Sequence, residues 1–152
     1  ASVELTEPTA KLLRDLGATH AMTLNCPLPD GGCIGELLTT GASHIAHLRH
    51  GEIRRYELDP ASLGLPRAEL ASLCIDSPAQ SAQIVRGILR GQKGSPRDVV
   101  LLNAAAALVV ADAASDFKQG LTMATDAIDS GAALRTLENL VKITSADPTP
   151  QT

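Results

Sequence analysis

Aromatic residues are almost absent from this chain of 152 residues, which has one tyrosine, one phenylalanine and no tryptophan. Proteins that stack nucleic-acid bases use aromatic side chains as platforms, so the composition argues against that class. It argues equally against a carbohydrate cleft lined by tryptophan and tyrosine. Alanine and leucine, in contrast, supply 45 of the residues. We therefore expect a core of small aliphatic side chains in closely packed helices.

The chain also lacks an excess of basic charge and a long hydrophobic run. Its formal net charge is −4 at pH 7, which gives no electrostatic footprint for DNA or RNA. The longest apolar block, 99–111, is interrupted by Asn103 and is far shorter than the ~20 residues of a membrane span. No signal peptide is visible at the amino terminus. These absences predict a cytoplasmic protein with neither nucleic acid nor membrane as a partner.

Cysteine is scarce, with three residues at positions 26, 33 and 74. An odd number in a chain large enough to form a core favours reduced thiols over a disulfide framework. Cys26 and Cys33 lack the closer, paired spacing of a zinc site. Their spacing leaves a structural and an incidental role open.

Three histidines, His44, His47 and His50, recur at every third position. On a helix they would share a rough stripe and could suggest a metal site. Gly51 and the flanking β-branched residues favour a hairpin instead, in which positions three apart point to opposite faces. We therefore expect solvated hairpin histidines rather than metal ligands.

The apolar pattern of the first half predicts one helix followed by strands. The helix carries a leucine stripe and should end at Gly17, which can adopt the left-handed conformation that closes a helix. The stripe consists of Leu5, Leu12, Leu13 and Leu16. A strand is expected at 21–24, a loop at 25–35, and a β-hairpin on either side of the turn 49–51.

The second half is predicted to be mostly helical. After an irregular stretch at 59–74, one helix should be capped by Ser77 and another capped by Ser115. The apolar helix between them, 97–112, should be buried on nearly all sides. A last helix is expected at 130–143, with an apolar side formed by Leu134, Leu137 and Val141.

The residues alone present no catalytic constellation. We see no defensible arrangement of serine, histidine and aspartate, and no closely spaced carboxylate pair. Asp30-Gly31-Gly32 matches neither of the glycine-rich phosphate motifs, so turn chemistry explains it better. Asn103 would cost about 1–3 kcal/mol if buried without partners, and we favour a bridge between helix and loop over ligand binding. Glu36 becomes interesting only beside a metal or a substrate.

Several sequence runs occur in an order that identifies a family resemblance. They are GEIRRYELDP (51–60), GLP (64–66), ILRG (88–91), GSPRDVVLLNAAAAL (94–108), GL (120–121) and AIDSGA (127–132). In this series the chain resembles the C-terminal half of anthranilate phosphoribosyltransferase. SVELTEP (2–8) and LGATHA (16–21) also resemble that family, so the resemblance covers nearly the whole chain.

The resemblance implies a transfer reaction of tryptophan biosynthesis. The family moves the phosphoribosyl group of phosphoribosyl pyrophosphate to the amino group of anthranilate, and magnesium neutralises the departing diphosphate. It implies an α/β fold with a partial mixed sheet, flanking helices and a helix-rich C-terminal half. Residues 1–144 would be the C-terminal part of a glycosyltransferase-family α/β domain, and 145–152 a frayed tail.

Two departures from the family pattern bear on activity. Nothing here matches the family's N-terminal half, which contains the Gly-Thr-Gly-Gly-Asp loop. Counted back from Thr40, Glu36 matches one carboxylate of the magnesium-binding Asp-Glu pair, whereas Gly35 replaces the other, which weakens such a site. The resemblance thus implies Glu36 as the metal ligand and assigns no catalytic residue.

These departures leave competing functions open. As an enzyme, the chain would act only with the missing N-terminal half. Its sheet would expose unpaired edges, which predicts association with that half or with a homodimer partner. As a degenerate, non-catalytic relative, it would serve as a binding or assembly module. A related transferase that acts on nucleosides or bases is a third possibility.

Overall fold

The computed structural model of the chain describes residues 2–28 and 30–145. Its strands are β1 (His20–Pro27), β2 (Cys33–Ile34), β3 (Ser43–Arg49) and β4 (Glu52–Leu58). Its α-helices are α1 (Thr6–Asp15), α2 (Pro78–Leu89), α3 (Ser95–Val110), α4 (Phe117–Asp129) and α5 (Ala132–Ser145). The α/β class and the helix-rich second half are confirmed. Of the expected frayed tail, Ser145 is the last residue of α5, and 146–152 lie outside the described residues.

The strands form one sheet in the order β2-β1-β3-β4, and every pairing in the described residues is antiparallel. We expected a mixed sheet, but parallel neighbours need a crossover of a dozen or more residues, and no helix separates these strands. The β2 pairing reaches only Cys26 and Pro27. The other edge of β1, over residues 20–25, therefore has no strand beside it in the described part of the chain.

The hairpin of β3 and β4 forms where the sequence predicted it. His50 and Gly51 connect the strands with φ angles of +51° and +82°. A two-residue turn of this kind requires positive φ at both positions, which glycine adopts without steric cost. The turn fixes the register, so that Ile45 lies opposite Tyr56.

The segment predicted as a loop at 25–35 contains strand instead. β1 continues through Pro27, the chain reverses, and β2 returns beside it. Leu28 donates its amide to the Gly32 carbonyl at 2.9 Å, and Asp30 Oδ1 accepts the Gly32 amide at 2.9 Å. The aspartate thus closes a turn, as expected for this composition.

The main core lies between α3 and one face of the sheet. It is formed by Leu37, Ile45, Leu58, Leu102, Ala105, Ala106 and Phe117. A second cluster joins α2, α3 and α4 through Ile88, Leu101, Ala124 and Ile128. α3 was expected to be buried on nearly all sides, but Val100 is 41% exposed. Its buried residues lie on the sides that face the sheet and α4.

Two apolar helix faces remain exposed. α1 buries Thr6 and Ala10, whereas Leu5, Leu12 and Leu16 of the predicted stripe are between 57% and 75% exposed. α5 buries no residue, and its exposed apolar side chains are Leu140, Val141 and Ile143. Of the predicted α5 side, Leu134, Leu137 and Val141, only Val141 is among these exposed residues. The sequence period could not show which apolar side chains the chain covers.

The predicted helix starts are correct at α2 and displaced by one residue at α4. Ser77 caps α2 by accepting the Gln80 amide. At α4 the cap is Asp116 rather than Ser115, and its Oδ1 accepts the Gln119 amide at 2.9 Å. Gln119 in turn accepts the Ser115 amide at 2.7 Å, so an aspartate and a glutamine satisfy the first turn together. No helix in the described residues is long and apolar enough to cross a membrane.

The α3–α4 contact predicts opposite effects for two glycine substitutions. A Cβ at Gly120 would lie 2.9 Å from the Ala105 Cα and carbonyl oxygen, whereas a Cβ at Gly87 would meet the movable amide end of Gln92. Alanine gains about 1 kcal/mol over glycine inside a helix, but overpacking against backbone costs about 1–3 kcal/mol. We expect Gly120→Ala to lower the free energy of unfolding by up to about 2 kcal/mol and Gly87→Ala to leave it equal or higher. Urea denaturation checks both, and equal destabilisation of the two variants would contradict the close α3–α4 approach.

Candidate functional site

The candidate metal ligand Glu36 lies just beyond β2, at the end of the sheet where β1 ends and β3 begins. Its side chain is exposed, and the adjacent Gly35 is exposed as well. An added Cβ at Gly35 would meet no heavy atom within 4 Å. The position therefore has room for a side chain beside Glu36.

Asn103 holds the residue that follows Glu36. Its Oδ1 accepts the Leu37 amide at 3.1 Å, and its Nδ2 donates to the Leu37 carbonyl at 2.7 Å. Nδ2 also lies 2.9 Å from the Val99 carbonyl oxygen, one turn earlier in α3. Leu37 is fully buried, so the Asn103 side chain satisfies both the backbone N–H and the backbone carbonyl of a buried residue. The expected bridge between helix and loop is confirmed.

An apolar groove of about 440 Å³ opens beside Glu36. It runs between the segment after β2, a short 3-10 helix at Leu70–Leu73, α2 and the first turns of α3. Its apolar lining includes Ile34, Leu38, Leu73, Ile75, Ile84, Val85 and Val99, and its polar lining is Glu36, Cys74 and Ser81. Such a groove can accept an apolar group while leaving Glu36 at its rim.

Three buried polar side chains lie near this end of the sheet. Asn25, Thr39 and Ser43 are each at most 1% exposed. Their side-chain oxygen and nitrogen atoms have no hydrogen-bond partner among the described residues. Buried polar groups are normally paired, so this end of the sheet has unmet hydrogen-bonding capacity. Sequence reasoning missed all three; Asn25 lay in the segment that was predicted as a loop at 25–35.

The described residues do not fit a protein-held magnesium site. They contain no group of three or more histidine, cysteine, aspartate or glutamate side chains that could hold a metal. Asp30, in the turn before β2, uses Oδ1 to accept the Gly32 amide. Magnesium is commonly bound by one or two carboxylates together with substrate phosphates. Glu36 could thus add one ligand to an ion that a diphosphate carries.

The three spaced histidines also form no metal group in the described residues. His44 and His47 point to opposite faces of β3, as predicted, and His44 lies 3.4 Å from a carboxylate oxygen of Glu57. His47 is half-buried and makes a contact that the sequence did not predict. Its Nε2 lies 2.8 Å from Nε2 of His20, a residue that no sequence pattern singled out.

The family can now be assigned from comparison with known proteins. The family model described as "Glycosyl transferase family, a/b domain" matches residues 1–134. The chain belongs to this family. The match includes all four strands and extends into α5, so it covers the sheet, the Glu36 segment and the groove.

Within the glycosyl transferase family, the chain is similar to anthranilate phosphoribosyltransferases. It is 44% identical to that of Anaeromyxobacter sp. (strain K) over 134 residues, which cover 88% of this chain and 38% of the relative. It is also 44% identical to that of Parvibaculum lavamentivorans over 144 residues, or 95% of this chain and 41% of the relative. The expected resemblance is confirmed, and the chain spans about two fifths of the length of these relatives.

Solved structures agree with this assignment. Anthranilate phosphoribosyltransferase from Thermus thermophilus has a TM-score of 0.82 at 31% identity, and the match covers 95% of this chain and 41% of that one. The Saccharomyces cerevisiae protein in complex with PRPP and Mg has a TM-score of 0.80 with the same coverage of both chains. Its 24% identity shows a shared fold alone.

Proposed function

We propose that this chain contributes the C-terminal part of an anthranilate phosphoribosyltransferase. In the cytoplasm it would help transfer phosphoribosyl from phosphoribosyl pyrophosphate to the amino group of anthranilate, a step of tryptophan biosynthesis. The observation that carries the proposal is the 44% identity over 134 residues to an enzyme of that name. Glu36 would supply one carboxylate to a magnesium ion that the diphosphate brings with it.

Two exposed features support a need for further protein. The edge of β1 that no strand covers among the described residues offers backbone hydrogen bonds to another strand, and exposed sheet edges are normally paired or covered. Leu12 and Leu16 form part of an exposed apolar face on α1. We propose that the N-terminal part found in the longer relatives, or a second copy of the protein, covers these surfaces.

The proposed function is tested by comparing the chain alone with a joined protein. The joined protein carries the N-terminal part of the Anaeromyxobacter relative before this chain. With phosphoribosyl pyrophosphate, magnesium and anthranilate, we expect weak but measurable turnover of the joined protein and none of the chain alone. Loss of anthranilate fluorescence measures the reaction, and omission of phosphoribosyl pyrophosphate is the blank. Robust turnover by the chain alone would contradict the requirement for another part.

A non-catalytic role is the second candidate, and Gly35 favours it. The family's aspartate is missing at this position, and the described residues form no metal group. In that case the joined protein would be inactive as it stands and would become active only after aspartate is restored at 35. Turnover of the unrepaired joined protein would exclude the non-catalytic role.

A further inference from the structure

Two histidines meet head to head at the end of the sheet opposite Glu36. His20 begins β1, His47 lies in β3, and their Nε2 atoms are 2.8 Å apart. The ring centroids are 5.0 Å apart and the ring planes differ by 12°. The centroids are nearly as far apart as the Nε2 distance allows, which requires both nitrogens to lie close to the line that joins the two ring centres. The contact is therefore an in-plane N–H···N hydrogen bond and not a face-to-face stack.

The outer nitrogen of each ring lies beside an oxygen atom, at ion-pair distance for His20 and at hydrogen-bond distance for His47. His20 Nδ1 lies 3.2 Å from Asp112 Oδ1, and Arg49 donates to the same oxygen at 2.9 Å. His47 Nδ1 lies 3.3 Å from the Tyr56 hydroxyl. We call the series Tyr56–His47–His20–Asp112 the histidine clasp. It connects β4, β3 and β1 to the residue that follows the cap of α3.

The clasp has a defined proton order in its neutral form. The Asp112 carboxylate, 3.2 Å from His20 Nδ1, can only accept, which favours the tautomer of His20 that carries its proton on Nδ1 and accepts at Nε2. His47 must then donate from Nε2, which leaves its Nδ1 to accept from the Tyr56 hydroxyl. Burial raises the pKa of Tyr56, so this hydroxyl remains protonated and can donate.

One added proton fits this arrangement, and a second does not. A doubly protonated His20 can donate to Asp112 and to His47, while His47 accepts at Nε2 and donates from Nδ1 to the Tyr56 oxygen. If both rings are protonated, two N–H groups and two positive charges face each other at the 2.8 Å contact. We propose that the histidine clasp is a one-proton site, and that a second proton opens the contact between His20 on β1 and His47 on β3.

The surrounding charges determine the direction of the pH dependence. Burial lowers the pKa of His47 most, followed by the positive charges of His20, Arg49 and Arg54, while Asp112 opposes them. The other groups that border the clasp or line its groove are Tyr56, His50 and Glu52, and Glu52 is paired with Arg54.

Because His47 binds its proton more weakly in the folded chain, the unfolded chain holds more protons below pH 6.5, the ordinary histidine value. Stability is therefore present above pH 6.5 and is lost as the pH falls below it. The pKa of Asp112 is lowered from 3.8, chiefly by its hydrogen bond from His20. The contribution of Asp112 to the stability of the folded chain is therefore lost only as the pH falls below 3.8.

Thermal unfolding of the chain between pH 7.5 and 5.5 tests the clasp. We expect the midpoint of the unmodified chain to fall by about 4 °C per pH unit below 6.5, which corresponds to one proton. In His47→Gln the amide can still donate to His20 but cannot titrate, so we expect less than half of that slope. His44→Gln, on the opposite face of β3, is the matched control and should keep the full slope.

Imidazole nitrogen chemical shifts of the unmodified chain provide the second measurement, which needs no variant. We expect at most one of the two rings to be doubly protonated at any pH at which the chain is folded. Protonation of both rings in the folded chain would overturn the proposal. An unchanged slope in His47→Gln would overturn it as well, and if that variant does not fold, the chemical shifts decide.

Discussion

Gly35→Asp is expected to raise the turnover of the joined protein by about tenfold to a hundredfold. The substitution places a second carboxylate beside Glu36, where the proposed reaction must neutralise a departing diphosphate. Mutation of a residue that only hydrogen-bonds to a metal ligand typically lowers metal affinity or activity about 10–100-fold. Restoring a ligand itself should therefore raise turnover at least about tenfold. The gain should be accompanied by saturation at a lower magnesium concentration. Initial rates across a magnesium titration measure both effects.

The fold should tolerate this substitution. Gly35 is exposed, an added Cβ there has no neighbour within 4 Å, and the residue is not among the glycines with positive φ. Gly35→Asn is the matched control, because it has nearly the same shape without the charge. If the aspartate and asparagine variants have equal rates, the charge at position 35 is not what limits the reaction.

Local turn and cap chemistry explains why parts of the fold could be predicted. The β3–β4 hairpin depends on His50 and Gly51, which adopt positive φ angles. A glycine between two strand patterns predicts such a turn from the local sequence alone. The start of α2 depends on Ser77 and the proline after it. At α4 a serine and an aspartate stood side by side, and the choice of Asp116 as the cap depends on the Gln119 amide.

Features that depend on distant pairing could not be predicted. β2 is only two residues long and forms because it returns beside β1. His20 meets His47 because the β1–β3 register brings together residues 27 positions apart. The exposure of Leu16 depends on which other parts of a protein lie beside α1. The periodicity of a single helix cannot predict that.

The candidate site shows the same division. Asn103 was predicted to bridge helix and loop because a polar residue inside an apolar block must find partners. That its partner is Leu37, 66 residues earlier, follows only from the packing of α3 on the sheet. The groove beside Glu36 likewise joins residues from 34 to 100, which no local pattern could connect.

Asn103→Ala is expected to lower the free energy of unfolding by about 3 kcal/mol. The substitution leaves the amide and the carbonyl of Leu37 without their partner, and an unsatisfied buried polar group costs about 1–3 kcal/mol. Leu37 is fully buried, so water cannot replace the lost hydrogen bonds unless the segment opens. Because Leu37 follows Glu36 directly, opening would also displace the candidate ligand. Urea denaturation measures the stability, and the joined protein should lose turnover in parallel.

A second alteration of the same helix separates this effect from a general change in α3. Ala107 lies one turn after Asn103 and is exposed, so Ala107→Asn alters only helix propensity, which is worth at most about 0.7 kcal/mol. A Gly35→Asp, Asn103→Ala double variant then tests whether Asn103 positions the segment that carries residues 35 and 36. If Asn103 holds the segment in place, the aspartate should restore little turnover without it. Full restoration in the double variant would show that the Leu37 bridge stabilises the fold without positioning Glu36.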